Sequence, residues 1–209
     1  MGTLHLAVLL AAGWTVLAMA GLAWRARGYG RRRLFSKPAG DPGQGVRYAF
    51  SQGMAPWAKE SVRDNPGAYG AGMAFHAGVF AAFGLLVLAL CGWTLPAALA
   101  LPARLLTLAG AVAGYGLLFK RISHAELRGL SSPDDYLSNL LTASFALLAC
   151  GASLDPGLVR PWLLETVLLL AYAPLGKIRH CLFFFTTRSA FGTFFGRRGT
   201  YPPGGSAHA

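Results

Sequence analysis

Five apolar stretches, at about residues 4–24, 69–93, 103–119, 134–152 and 162–186, limit what this chain can become. Each approaches the roughly 20 residues that a helix needs to cross a bilayer. Inside the hydrocarbon every backbone N–H and C=O must be bonded within the protein, a condition a helix meets by itself. With 54% apolar and 13% charged residues over 209 positions, the chain has too little polar surface for a soluble domain of this length. The predicted fold class is all-α: an integral membrane bundle of five transmembrane helices.

Charge sets the predicted orientation. There are 19 Lys/Arg against 8 Asp/Glu. Nine of the basic residues fall in the 25–68 loop: Arg25, Arg27, Arg31, Arg32, Arg33, Lys37, Arg47, Lys59 and Arg63. Lys120, Arg121 and Arg128 lie in the 120–133 loop, and Lys177, Arg179, Arg188, Arg197 and Arg198 at the end of the last span and beyond it. Only Arg104 and Arg160 remain for the opposite side. Basic loops stay on the cytoplasmic face, so the N-terminus is predicted outside and the C-terminus inside, in the cell inner membrane. Nucleic acid is not needed to explain the charge. The first span lacks a basic segment before it and is expected to be a retained helix rather than a cleaved signal.

The sequence predicts one domain over 1–199 and a disordered or partner-bound tail over 200–209. The first part of the 25–68 loop, GYGRRRLFSKPAGDPGQG, is expected to be irregular. VRYAFSQGMAPWAKESVRDN mixes aromatics with charges and predicts a short helix at the cytoplasmic interface. It is either a plain basic loop or a docking surface for a soluble partner. SSPDDYL at 131–137 reads as a helix start: Ser132 or Asp134 caps, Pro133 suits the first turn, and Asp135 complements the helix dipole. Cys91, Cys150 and Cys181 have no metal-binding spacing. Cys91 and Cys150 both fall near outer span ends, where a disulfide competes with their use as small apolar residues.

His5, at the outer edge of the first span, and His124 and His208, outside the spans, need no special role. His76 and His180 lie inside apolar spans, where a polar side chain is costly and wants a partner. Counted from Tyr69 and back from Thr186, both are expected about 10 Å below the cytoplasmic surface. A haem iron takes imidazoles from opposite faces, and helix bundles host such groups. Gly72 and Gly176, four residues before each histidine, leave room for a porphyrin edge, or alternatively for helix packing. Phe80 and Phe184 sit one turn beyond, able to pack on the macrocycle. Lys177 and Arg179 are candidate partners of propionates, or side chains reaching lipid headgroups. Tyr69 and Tyr172, with that pair, are candidate quinone contacts. Glu165 either handles protons or reaches the outer interface.

Three segments, YGAGMAFHAGVFAAFG, RISHAELRGLSSPDDYLSNLLT and APLGKIRHCLFFF, resemble the membrane cytochrome b of respiratory nitrate reductase. More broadly they resemble the gamma-subunit-like family that includes the cytochrome b of heterodisulfide reductases. The resemblance spans about residues 45–190 in matching order. It implies exchange of electrons between the quinone pool and a cytoplasmic iron–sulfur subunit through haem b, with His76 and His180 as axial ligands. The chain departs from that pattern at Leu86 and Trp162, where ligands of a second, outer haem would stand. One haem b is therefore expected. The competing expectations are a haem-free anchor or assembly subunit that tethers a soluble oxidoreductase, and a small transporter relaying protons through His76, His180 and Glu165.

Overall fold

A computed structural model describes residues 2–30, 35, 37–59, 62 and 64–203. Among them the secondary structure is helical throughout, without a strand. Arg31, Arg32, Arg33, Arg63, His208 and the tail from 204 on lie outside the described residues. The helices are α1 (Thr3–Gly28), α2 (Pro42–Phe50), α3 (Pro66–Cys91), α4 (Ala97–Ser123), α5 (Ala125–Gly129), α6 (Pro133–Ala152), α7 (Val159–Tyr172) and α8 (His180–Arg197). Short 3-10 turns stand at Gln52–Met54, Pro56–Ala58, Pro156–Leu158 and Lys177–Arg179. Three helices, α1, α3 and α4, are long and apolar enough to cross a membrane, and a fourth span results if Pro156–Tyr172 and Lys177–Arg197 count as one broken crossing. α6 is not among these, since its first half carries Asp134, Asp135, Ser138, Asn139 and Thr142.

The chain divides into two compact units. The first holds Met1–Ala18 and Gly67–Ile178. Its core gathers Val8, Ala82, Leu86, Ala111, Phe145, Ala146, Ala149, Trp162, Leu163 and Leu169. Phe145 is fully buried, 4.7 Å from the Phe83 ring centroid and 6.2 Å from that of Trp162. α3 and α4 approach at Gly78 and Gly110, where a Cβ on Gly78 would lie 2.5 Å from the Gly110 Cα, so both must stay glycine for the backbones to meet. Polar side chains add cross-links between helices. Thr15 donates to the Leu170 carbonyl, Trp14 Nε1 to that of Ala171 (3.0 Å), and Tyr115 Oη lies 2.8 Å from Ser144 Oγ. Arg104 donates to the Ser153 carbonyl at 2.7 Å, placing a cation on the C-terminal end of α6, where the helix dipole favours it. All three cysteines are free thiols, Cys150 being buried.

The second unit holds Met19–Pro66 and Arg179–Ala209. Here α2 starts at Pro42, inside the stretch predicted to be irregular. The reason is local: Asp41 accepts hydrogen bonds from the Gly43 and Gln44 N–H groups at 2.8 and 3.1 Å, and proline suits the first helical position. Gly45 of α2 meets Gly192 and Gly196 of α8 backbone to backbone. Ala39 and Gly40 donate to the Arg197 carbonyl at 2.8 and 3.1 Å. Arg188 donates to the carbonyls of Ala49 and Gly53 at 2.7 and 2.6 Å, so a guanidinium from α8 closes the open end of α2. The Tyr201 ring packs against Tyr48, Phe191 and Phe195. The start of the predicted tail is therefore seated on this unit.

Candidate functional site

His76 stands in α3 with Gly72 one turn before it and Phe80 one turn after, on one face of the helix. Its Nδ1 lies 2.7 Å from the Gly72 carbonyl oxygen. A carbonyl only accepts, so Nδ1 carries the hydrogen, and in the neutral ring Nε2 keeps the lone pair. Metal-ligating histidines take this arrangement, donating the second ring N–H to a carbonyl that fixes tautomer and orientation. The rings of Phe75 and Phe80 stand 6.3 and 6.4 Å from the imidazole. A Cβ at position 72 would meet nothing within 4 Å, and Phe80 is 70% exposed. That face therefore has aromatic rings beside the imidazole and no side chain at position 72. His124 makes the same bond, to Lys120 at 3.0 Å, but at the polar end of α4. The bond alone does not mark a ligand. What distinguishes His76 is its place in the interior of an apolar helix, where an imidazole needs a reason to be.

His180 belongs to the second unit and is the first residue of α8. The expected depth of His180 was counted along one unbroken helix over 162–186. α7 instead stops at Tyr172, and the helix resumes at His180 and runs to Arg197. Pro174 explains the break, because it has no N–H for the ladder and its ring clashes with the carbonyl four residues back. Residue count along a single helix therefore does not set the depth of His180, and both histidines are exposed. Phe184, one turn past His180, packs edge-on against Phe50 at 6.2 Å and against Phe185 at 5.2 Å.

A polar network that the sequence did not reveal holds the broken segment to the start of α6. Asp134 Oδ1 accepts from the Tyr172 hydroxyl, from Ser138 Oγ at 2.8 Å and from the Lys177 backbone N–H at 3.1 Å. Asp135 Oδ2 takes the Lys177 ammonium at 2.5 Å, together with the Ser132 N–H and hydroxyl at 2.9 Å each. Arg121 stands 3.9 Å from the other Asp135 oxygen. A Cβ on Gly176 would strike the Tyr172 ring and come within 2.7 Å of Asp134 Oδ1. Packing inside the first unit thus requires glycine there, whereas Gly72 is under no such constraint. Two residues considered as propionate or quinone contacts, Lys177 and Tyr172, have structural partners in this network. The signal was present in part: two adjacent acids at a helix start, and a lysine within the apolar run 162–186.

Loss of the Asp134 carboxylate is expected to be felt strongly. Three donors would lose a charged acceptor, each such bond contributing roughly 1.5–3 kcal/mol with poor additivity. Asp134→Ala should destabilise the first unit by about 3 kcal/mol, read as a lowered unfolding temperature in detergent, while Asp134→Asn, which keeps an acceptor oxygen, should lose less. Equal stability of Asp134→Ala and the parent chain would count against the network.

The remaining candidates are scattered. Tyr69 is half-buried in the first turn of α3, Glu165 is half-buried on α7, and Arg179 is exposed just before α8. Leu86 and Trp162, where outer-haem ligands would stand, are each 4% exposed and belong to the packed core of the first unit. Among the described residues no group of three or more His, Cys, Asp or Glu side chains is arranged to hold a metal ion.

These features define an all-helical protein with three to four helices suited to crossing a membrane and an imidazole displayed from the interior of one of them. Comparison with protein-family models, curated proteins and solved structures finds no match.

Proposed function

We propose that the chain is the membrane-anchoring cytochrome b subunit of a respiratory oxidoreductase complex. It passes electrons between the quinone pool and an iron–sulfur subunit through a single haem b, with His76 and His180 as axial ligands. The observation that carries this reading is the His76 arrangement: an imidazole in the interior of an apolar helix, its Nδ1–H donated to the Gly72 carbonyl, with Gly72 and Phe80 on the same helix face. When bound, haem b supplies a one-electron carrier. The chain's own contributions are to orient the His76 ring through Gly72, to offer Phe80 as an apolar wall, and to anchor the segment before His180 through Asp134 and Asp135. Leu86 and Trp162 occupy core positions without a donor able to ligate iron, which supports one haem rather than two.

In this proposal five segments cross the inner membrane, with the N-terminus outside and the C-terminus cytoplasmic. Residues 19–66 and 179–209 carry 13 Lys/Arg against 3 Asp/Glu, whereas the rest of the chain carries six against five. A basic surplus confined to one unit supports placing that unit on the cytoplasmic side. The iron–sulfur partner would meet it there. The competing reading, a haem-free anchor, draws on Gly176 and Lys177, whose roles the first unit accounts for without a cofactor. An optical spectrum of the purified chain separates the two. A reduced-minus-oxidised α band of b type is expected; well-folded protein without one rejects the haem and leaves the anchor. Two potentiometrically distinct b haems would reject the single-haem count.

A further inference from the structure

The cytoplasmic ends proposed for α4 and α6 frame a groove of about 660 Å³ within the first unit, a size typical of small-molecule sites. Its walls are Leu118 and Ile122 from α4 and Pro133, Tyr136, Leu137 and Leu140 from α6. Ile122, Leu137 and Leu140 remain 41–49% exposed, so nothing in the unit covers this face. One end differs from the rest. Ser131 lines it, and its hydroxyl accepts from Arg121 Nη1 at 2.8 Å while donating to the Leu127 carbonyl at 2.6 Å. Arg128 Nη1 donates to the carbonyl of Ile122, another lining residue, at 2.8 Å. Two guanidinium groups are thereby tied to the rim of an apolar trough, with Lys120 one residue before Arg121. The acids on these elements are Glu126, Asp134 and Asp135; Asp134 accepts from Tyr172 and Ser138, and Asp135 is held by Lys177 at 2.5 Å, with Arg121 more distant at 3.9 Å.

We propose that this groove is a binding site for an anionic phospholipid. An acyl chain lies along the leucine-lined trough, and the phosphate sits at the Ser131 end between Arg121 and Arg128. Each guanidinium presents five N–H donors in a fork matched to phosphate, and the contacts above engage only Nη1 of either one. A neutral headgroup or a quinone ring would gain little from two fixed cations, whereas an anionic lipid gains from both. The site depends on the chain being a membrane protein and not on the haem.

The test uses the full-length chain, purified in detergent and titrated with dioleoyl phosphatidylglycerol or, in parallel, dioleoyl phosphatidylcholine. Binding is followed by native mass spectrometry and by thermal unfolding. Phosphatidylglycerol is expected to bind at one site and to raise the unfolding temperature, with phosphatidylcholine weaker by at least tenfold. The pair Arg121→Gln and Arg128→Gln should weaken phosphatidylglycerol about 30-fold, as two cations near a headgroup predict. Leu137→Trp should fill the trough and abolish the single site. Arg128 is exposed, so Arg128→Gln alone carries the test should the double variant fail to fold. Equal binding of the two lipids, unchanged affinity in the arginine variants, or displacement of phosphatidylglycerol by an equimolar neutral quinone would each overturn the proposal.

Discussion

In a reduced-minus-oxidised spectrum of the purified chain, His76→Ala and His180→Ala are each expected to lose the b-type α band, while His124→Ala keeps it in full. The three substitutions are matched by chemistry and differ in setting. His124 shares with His76 the bond from Nδ1 to the carbonyl four residues back, yet it stands exposed at the end of α4, just past Lys120 and Arg121. If that local bond were all that explained His76, the two variants would behave alike. If His76 holds iron through Nε2, removing it takes away one axial bond, and the low-spin band disappears whether or not the macrocycle stays bound. A second variant refines the result. Gly72→Leu keeps the carbonyl that orients His76 but fills the open space beside it, where a Cβ meets nothing within 4 Å. It should fold normally and lower haem content severalfold. Full haem content in Gly72→Leu would show that no macrocycle edge approaches there, and an unaltered band in either histidine variant would remove that residue from the ligand pair.

Gly45→Ala is expected to disrupt the second unit far more than any methyl group normally would. The added Cβ falls on the Gly192 carbonyl oxygen and 2.5 Å from the Gly196 Cα, and all of these atoms are backbone. A side chain can rotate away from such a clash; two packed helices can only separate. Overpacking costs about 1–3 kcal/mol and more where nothing yields, against roughly 1 kcal/mol that alanine returns through helix propensity. Separation would also pull the Ala49 and Gly53 carbonyls from Arg188. The expected readout is trypsin cleavage at Arg47, which is exposed but sits in an ordered helix, accelerated at least tenfold over the parent chain. Gly84→Ala serves as the control, because a Cβ there has no neighbour within 4 Å and should leave cleavage unchanged or slower. Equal cleavage of Gly45→Ala and Gly84→Ala would refute the interlock.

The helical class was legible because apolar length admits few other solutions, and α3 and α4 arise where the apolar runs predict them. The start of α6 was legible too, since Ser132, Pro133 and Asp135 form a local signal that needs no tertiary help. The start of α2 carried an equally local signal in Asp41 and Pro42, obscured by the glycines around it. Those glycines are not punctuation. Gly45 is demanded by α8, almost 150 residues away, and no window of sequence contains that fact. The network at Asp134 was hidden for the same reason. A helix cap accounts for the two aspartates by themselves, and only the fold brings Tyr172 and Lys177 to them. His76 could be singled out by its cost in an apolar span, whereas the break at Pro174 lies inside an apolar run that conceals it.

The pairing of α2 with α8 also orders events during synthesis. The segment around Gly40 and Gly45 is made well before the groups that complete it, from Arg188 to Tyr201, which follow roughly 150 residues later in the chain. Until then α2 lacks the helix it packs against, and its buried face, Gly45 and Ala49, has nothing to cover it. A chain that stops before residue 188 therefore has all of its first unit but lacks Arg188, Gly192 and Gly196, the α8 residues that α2 packs against. Protection of α2 therefore reports that α8 has been made and has packed against it.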